Sequence, residues 1–284
     1  MDLTSQVVEA IDAWLQSIAT QLLGPALAAA GALVLQTPAF DAIPEIQQTW
    51  SLVRNAADAL FVVVLMAAGV LVMARGTVES RYSAKLIVPR VALAAVGANA
   101  SLAVCGGLIQ LDNALVAGFL GPAPASTAVQ QLAAMVTRGG TGEQAVGIVV
   151  GLAAAVLAIL LVALYVARDL VLLLMTVVAP LALATYAFPQ TDEIARLWWR
   201  AFSALLFVQV VQALLIGVGV ELLRHADWLG PVSELTSGLV LLTLLYLLFK
   251  LPFAAYQWAF RHPIHQIPAV RPLVLAARSI ASAA

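Results

Sequence analysis

Residues 145 to 188 form one apolar run broken only by the adjacent pair Arg168 and Asp169. A continuous helix of that run, at about 1.5 Å per residue, is roughly 66 Å long, whereas the hydrocarbon layer of a bilayer is about 30 Å thick. About 18 consecutive apolar residues already separate a membrane span from a buried core helix. The run therefore crosses a membrane twice with a turn at Arg168-Asp169, or crosses once and leaves an apolar remainder. The rest of the chain belongs with it: 63% of the 284 residues are apolar and 10% are charged, against about a quarter charged in soluble proteins. An all-α polytopic membrane protein is expected.

Further spans are read along the chain. Residues 3 to 35 carry Leu3, Val7, Ile11, Trp14, Leu15 and Ile18 at steps of three and four, which predicts an amphipathic helix lying in the interface; a true span beginning near Trp14 is the alternative. The acidic start, MDLTSQVVEAIDAW, does not resemble a secretory signal. Trp50 opens a clear first span with Ala56 to Ala74 as its hydrocarbon part, ending in RGTVESRYSAK. A second, about Val91 to Leu111, is rich in Gly97, Asn99, Ser101, Gly106 and Gly107, residues that suit close helix packing or a polar path. Asp112 and Asn113 then lead into the loop-like GPAPAST and TRGGTG. After the long run, Pro189 stops one element, Thr191 with Asp192 and Glu193 starts the next, and Ala201 to Val220 and Leu239 to Leu251 supply two more spans.

Basic residues near span ends favour the cytoplasm, so charge counts the crossings. Two crossings by residues 145 to 188 put Arg54, Arg138, Arg196, Arg200, Lys250, Arg261, Arg271 and Arg278 outside, against six basic residues inside. One crossing leaves only Arg54, Arg138 and Arg224 outside and the other eleven inside. Turn chemistry agrees, because ARDL offers no loop residues and no glycine. The expected plan has five spans, an outside N-terminus and a cytoplasmic C-terminus, with Arg168-Asp169 at the inner end of the third span. The apolar surplus after it carries Pro180, which removes a helix hydrogen bond. That predicts a kinked inner-face segment, Ala179 to Phe188, that folds back at the inner face or packs on a neighbouring subunit. Three regions follow: 1–49, amphipathic and outside; 50–256, the five-span helical domain; and 257–284, a basic cytoplasmic tail.

Enzyme signatures are missing: the chain has no GxxxxGK, no HExxH and no serine elbow. Its single cysteine, Cys105, cannot form an internal disulfide and reads as a small core residue. His262 and His265 lie three apart without a carboxylate or cysteine beside them, so no metal and no cofactor are expected. Gly147 and Gly151 have the spacing that lets membrane helices approach closely, a pattern that also arises by chance in glycine-rich apolar chains. Arg168 and Asp169 point about 100° apart on a helix and so are not expected to neutralise each other side by side. The bland reading is a snorkelling arginine with a satisfied aspartate; the functional one is a polar channel lining or an interhelical lock. Asp58, inside the first span, carries the same two readings.

A first span ending in a basic loop with Arg81-Tyr82, a second of ANASLAVCGGLIQLDNAL type, a third reaching ARDLVLLLMTVVAPLALATYAFPQT, and a helix entered through LWWRAF together resemble the TrbL-like polytopic subunit of type IV secretion and conjugation machines. The strongest part runs from Arg168 to Phe202 and includes Pro180, Pro189, Trp198 and Trp199. The resemblance implies an inner-membrane component that oligomerises with itself, works beside pilin and cytoplasmic ATPases, and helps pass DNA or protein across the bilayer or build a pilus. The long soluble C-terminal extension of many relatives has no counterpart here. Asn99, Ser101, Asp58, Arg168 and Asp169 are then the candidates for the path or a helix lock. A small-molecule permease or secondary transporter is the alternative, although the inverted repeats and paired broken helices of such proteins are not found. A pure scaffold for a pilus base is the third class.

Overall fold

The computed structural model describes residues 36–75, 78–120, 144–187, 191–224 and 234–260, together with Ala10, Ala13, Trp14, Ser17, Ile18, Gln21, Leu22, Pro25, Ala26 and Ala29. Its long elements are α1 (Pro44–Arg75), α2 (Val78–Leu120), α3 (Gln144–Ala184), α4 (Asp192–Arg224) and α5 (Glu234–Phe260). Short 3₁₀ turns at Phe40–Ala42 and Thr185–Ala187 precede α1 and follow α3. The ten described residues before position 30 are all helical. Most of 1–35, all of 261–284 with His262 and His265, and Pro189 lie outside the described residues.

Each long helix carries a stretch long and apolar enough to cross a bilayer: Pro44–Met66, Pro89–Leu120, Val150–Ala187, Asp192–Gly219 and Leu239–Gln257. The chain is a multi-pass, all-α membrane protein. Large side chains such as Leu52, Val70, Met73, Leu93, Val96 and Phe207 are exposed. In water these would be a liability, but toward lipid they are the expected surface.

Helix α3 settles the hairpin question: it runs from Gln144 to Ala184 without a turn at Arg168-Asp169. It also continues past Pro180, and the chain leaves the helix at Thr185–Ala187 instead. Proline removes one donor, while the surrounding apolar medium penalises every further unpaired backbone group and so keeps the helix going. The end of the second span moves too. Asp112 and Asn113, read as the start of a loop, lie inside α2, which continues through ALVAGFL to Leu120.

The chain divides into two compact units. The first comprises Met1–Pro38, Leu111–Leu170 and Leu205–Ala255, the second Ala39–Gln110, Val171–Ala204 and Tyr256–Ala284. The core of the first unit packs small residues of α3 (Ala154, Ala155, Ala158) beside Leu161 and Tyr165, against Ile216 of α4 and Leu241, Leu244, Leu245 and Leu248 of α5; Ala26 leans on it. The second is built from Ala57 and Phe61 of α1, Val91, Ala94 and Ala98 of α2, and Ala184 and Ala187. Alanine at contact positions lets helices approach closely where no hydrophobic effect drives them together. Of the segment expected to fold back or to pack on a neighbouring subunit, Ala179, Pro180, Ala182, Ala184 and Ala187 are buried within the chain and Leu181 is exposed.

Candidate functional site: a buried arginine cluster and a half-exposed polar face

In the first unit, polar side chains from α2, α3 and α4 converge on one connector residue. Arg168 and Asp112 are each 4% exposed; Thr37, Gln209 and Gln212 are buried as deeply. The Arg168 guanidinium donates through Nε to the Leu205 carbonyl (3.2 Å) and through Nη1 to Thr37 Oγ1 (2.9 Å) and Asp169 Oδ1 (3.1 Å). Its Nη2 stands 3.6 Å from Asp112 Oδ2. Of the two readings of Arg168, snorkelling toward headgroups does not fit a side chain that is 4% exposed. Arg168 does meet Asp169, against the expectation that the two would not neutralise each other side by side, because the long flexible arginine arm spans the angle that the helix opens between neighbours.

Thr37 is held on three sides. Its N–H donates to Asn113 Oδ1 (3.0 Å) and its carbonyl accepts from Asn113 Nδ2 (2.9 Å), so one carboxamide pairs with the main chain as another peptide group would. Its hydroxyl accepts from Arg168 and donates to Gln209 Oε1 (2.6 Å). Gln209 Nε2 reaches back to Asn113 Oδ1 at 3.4 Å, and one helical turn along Gln212 Nε2 donates to the Leu248 carbonyl at 2.9 Å. Buried polar groups stay because they are hydrogen-bonded.

The sequence points to Arg168 and Asp169 but not to their partners. Asp112 and Asn113 read as a loop, although the apolar ALVAGFL behind them is a signal that the helix continues. Gln209 and Gln212, two amides three apart in an apolar span, are a second signal. Thr37 lies 131 residues from Arg168 and has none.

The second unit holds Asp58, Asn99 and Ser101 in two different settings. Asn99 Nδ2 donates to Asp58 Oδ1 (3.0 Å) and to the Ala95 carbonyl (3.0 Å), and Arg54 Nε stands 4.0 Å from Asp58 Oδ2. The Arg54 guanidinium also lies over the Trp50 ring, 5.2 Å from its centroid. This group is open: the Arg54 and Asp58 side chains are 35% and 41% exposed, and Asn99 is exposed. Ser101 lies behind it, buried, accepting from Trp50 Nε1 (2.9 Å) and donating to the Ala98 carbonyl (2.7 Å).

Among the remaining candidates, Trp198 is buried, donates Nε1 to the Met175 carbonyl (3.0 Å) and stacks on Phe202 at 5.2 Å between centroids. Trp199 beside it is 45% exposed. Pro180 is buried. Gly147 and Gly151 both lie in α3, and Gly151 is buried. At the start of α4, Asp192 accepts from Arg196 Nη2 (2.7 Å) and faces Arg90 Nη1 at 3.7 Å. Among the described residues there is no group of three His, Cys, Asp or Glu that could hold a metal.

A family model described as TrbL/VirB6 plasmid conjugal transfer like protein matches residues 1–284. No curated protein and no solved structure matches the chain.

Proposed function

The chain belongs to the TrbL/VirB6 plasmid conjugal transfer-like family, which makes it a type IV secretion or conjugation membrane subunit, and from that membership we propose that it is a non-enzymatic part of the translocation path. The observation that carries this reading is the Arg54–Asp58–Asn99 face. It lies within the stretches Pro44–Met66 and Pro89–Leu120, in the part of α1 where Gln47, Gln48 and Asn55 are exposed as well. Charged groups in a span are costly toward lipid and turn toward water or protein. A half-exposed ion pair with an amide therefore favours a face turned to a hydrated path between copies of this chain. Arg168 and Asp169, being enclosed, act as a lock between helices of their own unit rather than as a path lining.

In this reading the protein sits in the cytoplasmic membrane with its N-terminus outside and its C-terminal tail inside. It assembles with itself and works beside pilin and the cytoplasmic ATPases that supply the energy, passing DNA or protein cargo. Photo-crosslinkers at Asn99, Ser101 and Arg168 during active transfer test it. Adducts to cargo at Asn99, with none at the buried Ser101 and Arg168, are the expected pattern. Absence of cargo adducts at Asn99 during verified transfer would reduce the protein to a scaffold. Orientation has a separate check: a cysteine at Gln190 in a chain lacking Cys105 should resist an impermeant thiol reagent applied from outside.

A further inference from the structure

Three apolar stretches end at one place in the second unit. Pro89–Leu120 begins beside Arg90, Val150–Ala187 ends beside Tyr186, and Asp192–Gly219 begins at Asp192. The Arg90 guanidinium lies over the Tyr186 ring, 5.6 Å from its centroid, and its Nη1 stands 3.7 Å from Asp192 Oδ2. Thr191 Oγ1 donates to the Thr185 carbonyl (2.8 Å) and ties the start of α4 to the chain leaving α3. These contacts gather the three ends at one boundary between lipid chains and water.

That boundary holds more donors than its acceptors use. Asp192 Oδ2 accepts from Arg196 Nη2 at 2.7 Å, the short distance of a charge-assisted bond, while Arg90 Nη1 stays beyond hydrogen-bond reach and has no hydrogen-bond partner among the described residues. The Arg90 and Arg196 side chains are 35% and 64% exposed, so both guanidiniums reach the surface. Arg200 follows one turn along α4, with the exposed Trp199 beside it. Asp192 and Glu193 are the carboxylates described here, against arginines at 90, 196 and 200. Arginine presents a planar fork of N–H groups that matches phosphate oxygens, tryptophan settles at headgroup depth, and basic pockets between membrane helices take anionic headgroups. We propose that Arg90, Arg196 and Arg200, with Trp199 beside them, form a site for the phosphate of an anionic phospholipid. The phosphate oxygens accept from the N–H groups that Asp192 leaves unused, and the acyl chains lie in the bilayer.

Native mass spectrometry of the full-length protein, released from a neutral maltoside detergent after incubation with phosphatidylglycerol or phosphatidylcholine, reads the site. The parent should retain phosphatidylglycerol at concentrations where phosphatidylcholine is lost. Arg196→Gln changes an exposed side chain whose surface ion pair adds little to folding, and it should weaken retention about fivefold, the worth of one arginine near an anionic headgroup. Arg90→Gln should do the same, and the double variant should lose roughly 25-fold. Lys250→Gln removes an exposed cation from α5 and should leave retention unchanged. Excess inorganic phosphate should not displace the lipid, because the acyl chains hold it at the boundary. Equal retention of the two lipids, unchanged retention in Arg196→Gln, or an equal loss in Lys250→Gln overturns the site. Displacement by inorganic phosphate overturns it too, by assigning the arginines to a soluble anion.

Discussion

Replacing Arg168 by methionine keeps an unbranched chain of similar length and removes the charge, which leaves Asp112 (4% exposed) and Asp169 (13% exposed) facing no cation at this position. Removing one partner of a buried pair costs about 3–5 kcal/mol because the stranded charge stays desolvated. The lost bonds to the Leu205 carbonyl and Thr37 hydroxyl act in the same direction and are not independent of that figure. At about 2–4 °C per kcal/mol for a chain of this size, melting should fall by roughly 10 °C. The double variant Arg168→Met with Asp112→Leu removes the more deeply buried carboxylate along with the cation and should recover at least half of the loss, since apolar replacement of a whole buried pair is often neutral. The protein carries its own reporter: Cys105, the sole cysteine, is fully buried, so a thiol-reactive dye added during heating follows unfolding. Melting of Arg168→Met within about 2 °C of the parent, or a double variant no better than the single, would refute the reasoning that Arg168 neutralises a buried charge.

Cys105 itself should stay unmodified by thiol reagents in the folded protein and react fully after unfolding, read by intact mass; labelling of the native state would contradict its burial. A Cβ at Gly106 would fall 2.5 Å from Asp41 Oδ2 and 2.6 Å from its Cγ, whereas one at Gly107 would meet nothing within 4 Å. Gly106→Ala should therefore lower stability by about 1–3 kcal/mol and Gly107→Ala should not, in paired thermal melts. Trp198→Phe keeps the stack on Phe202 and loses the bond to the Met175 carbonyl, about 1 kcal/mol. Trp198→Ala loses the ring as well, about 3–5 kcal/mol, so equal melting points for the two variants would assign the role to the indole N–H alone.

What the sequence makes legible follows from which interactions are local. The continuity of α3 through Arg168-Asp169 is readable because turn chemistry is written in neighbouring residues and ARDL has none of it. The five spans are readable because apolar length is additive along the chain. Arg168 stands out because any charge in such a run is conspicuous. Its partners are hidden for the opposite reason: Asp112, Gln209 and Thr37 come from three separate segments, and nothing in LDNAL, VQVVQ or LQTPAF says that they meet. Asp58, Asn99 and Ser101 are picked by one criterion, polarity within a span, and that criterion cannot tell an exposed amide from a serine bonded behind it. Packing separates them, with Trp50 turned onto Ser101 and Arg54 lying over its ring.

The carboxamide of Asn113 carries a consequence for how the chain tolerates change. By pairing with both the N–H and the carbonyl of residue 37, it addresses atoms that every residue except proline possesses. Drift at position 37 can alter the hydroxyl contacts and still leave this main-chain grip in place, whereas few side chains other than an amide can offer a donor and an acceptor at that spacing. Across a set of related chains, the column at 113 should accordingly vary less than the column at 37, even though 37 is the residue that is held and 113 the one that holds it.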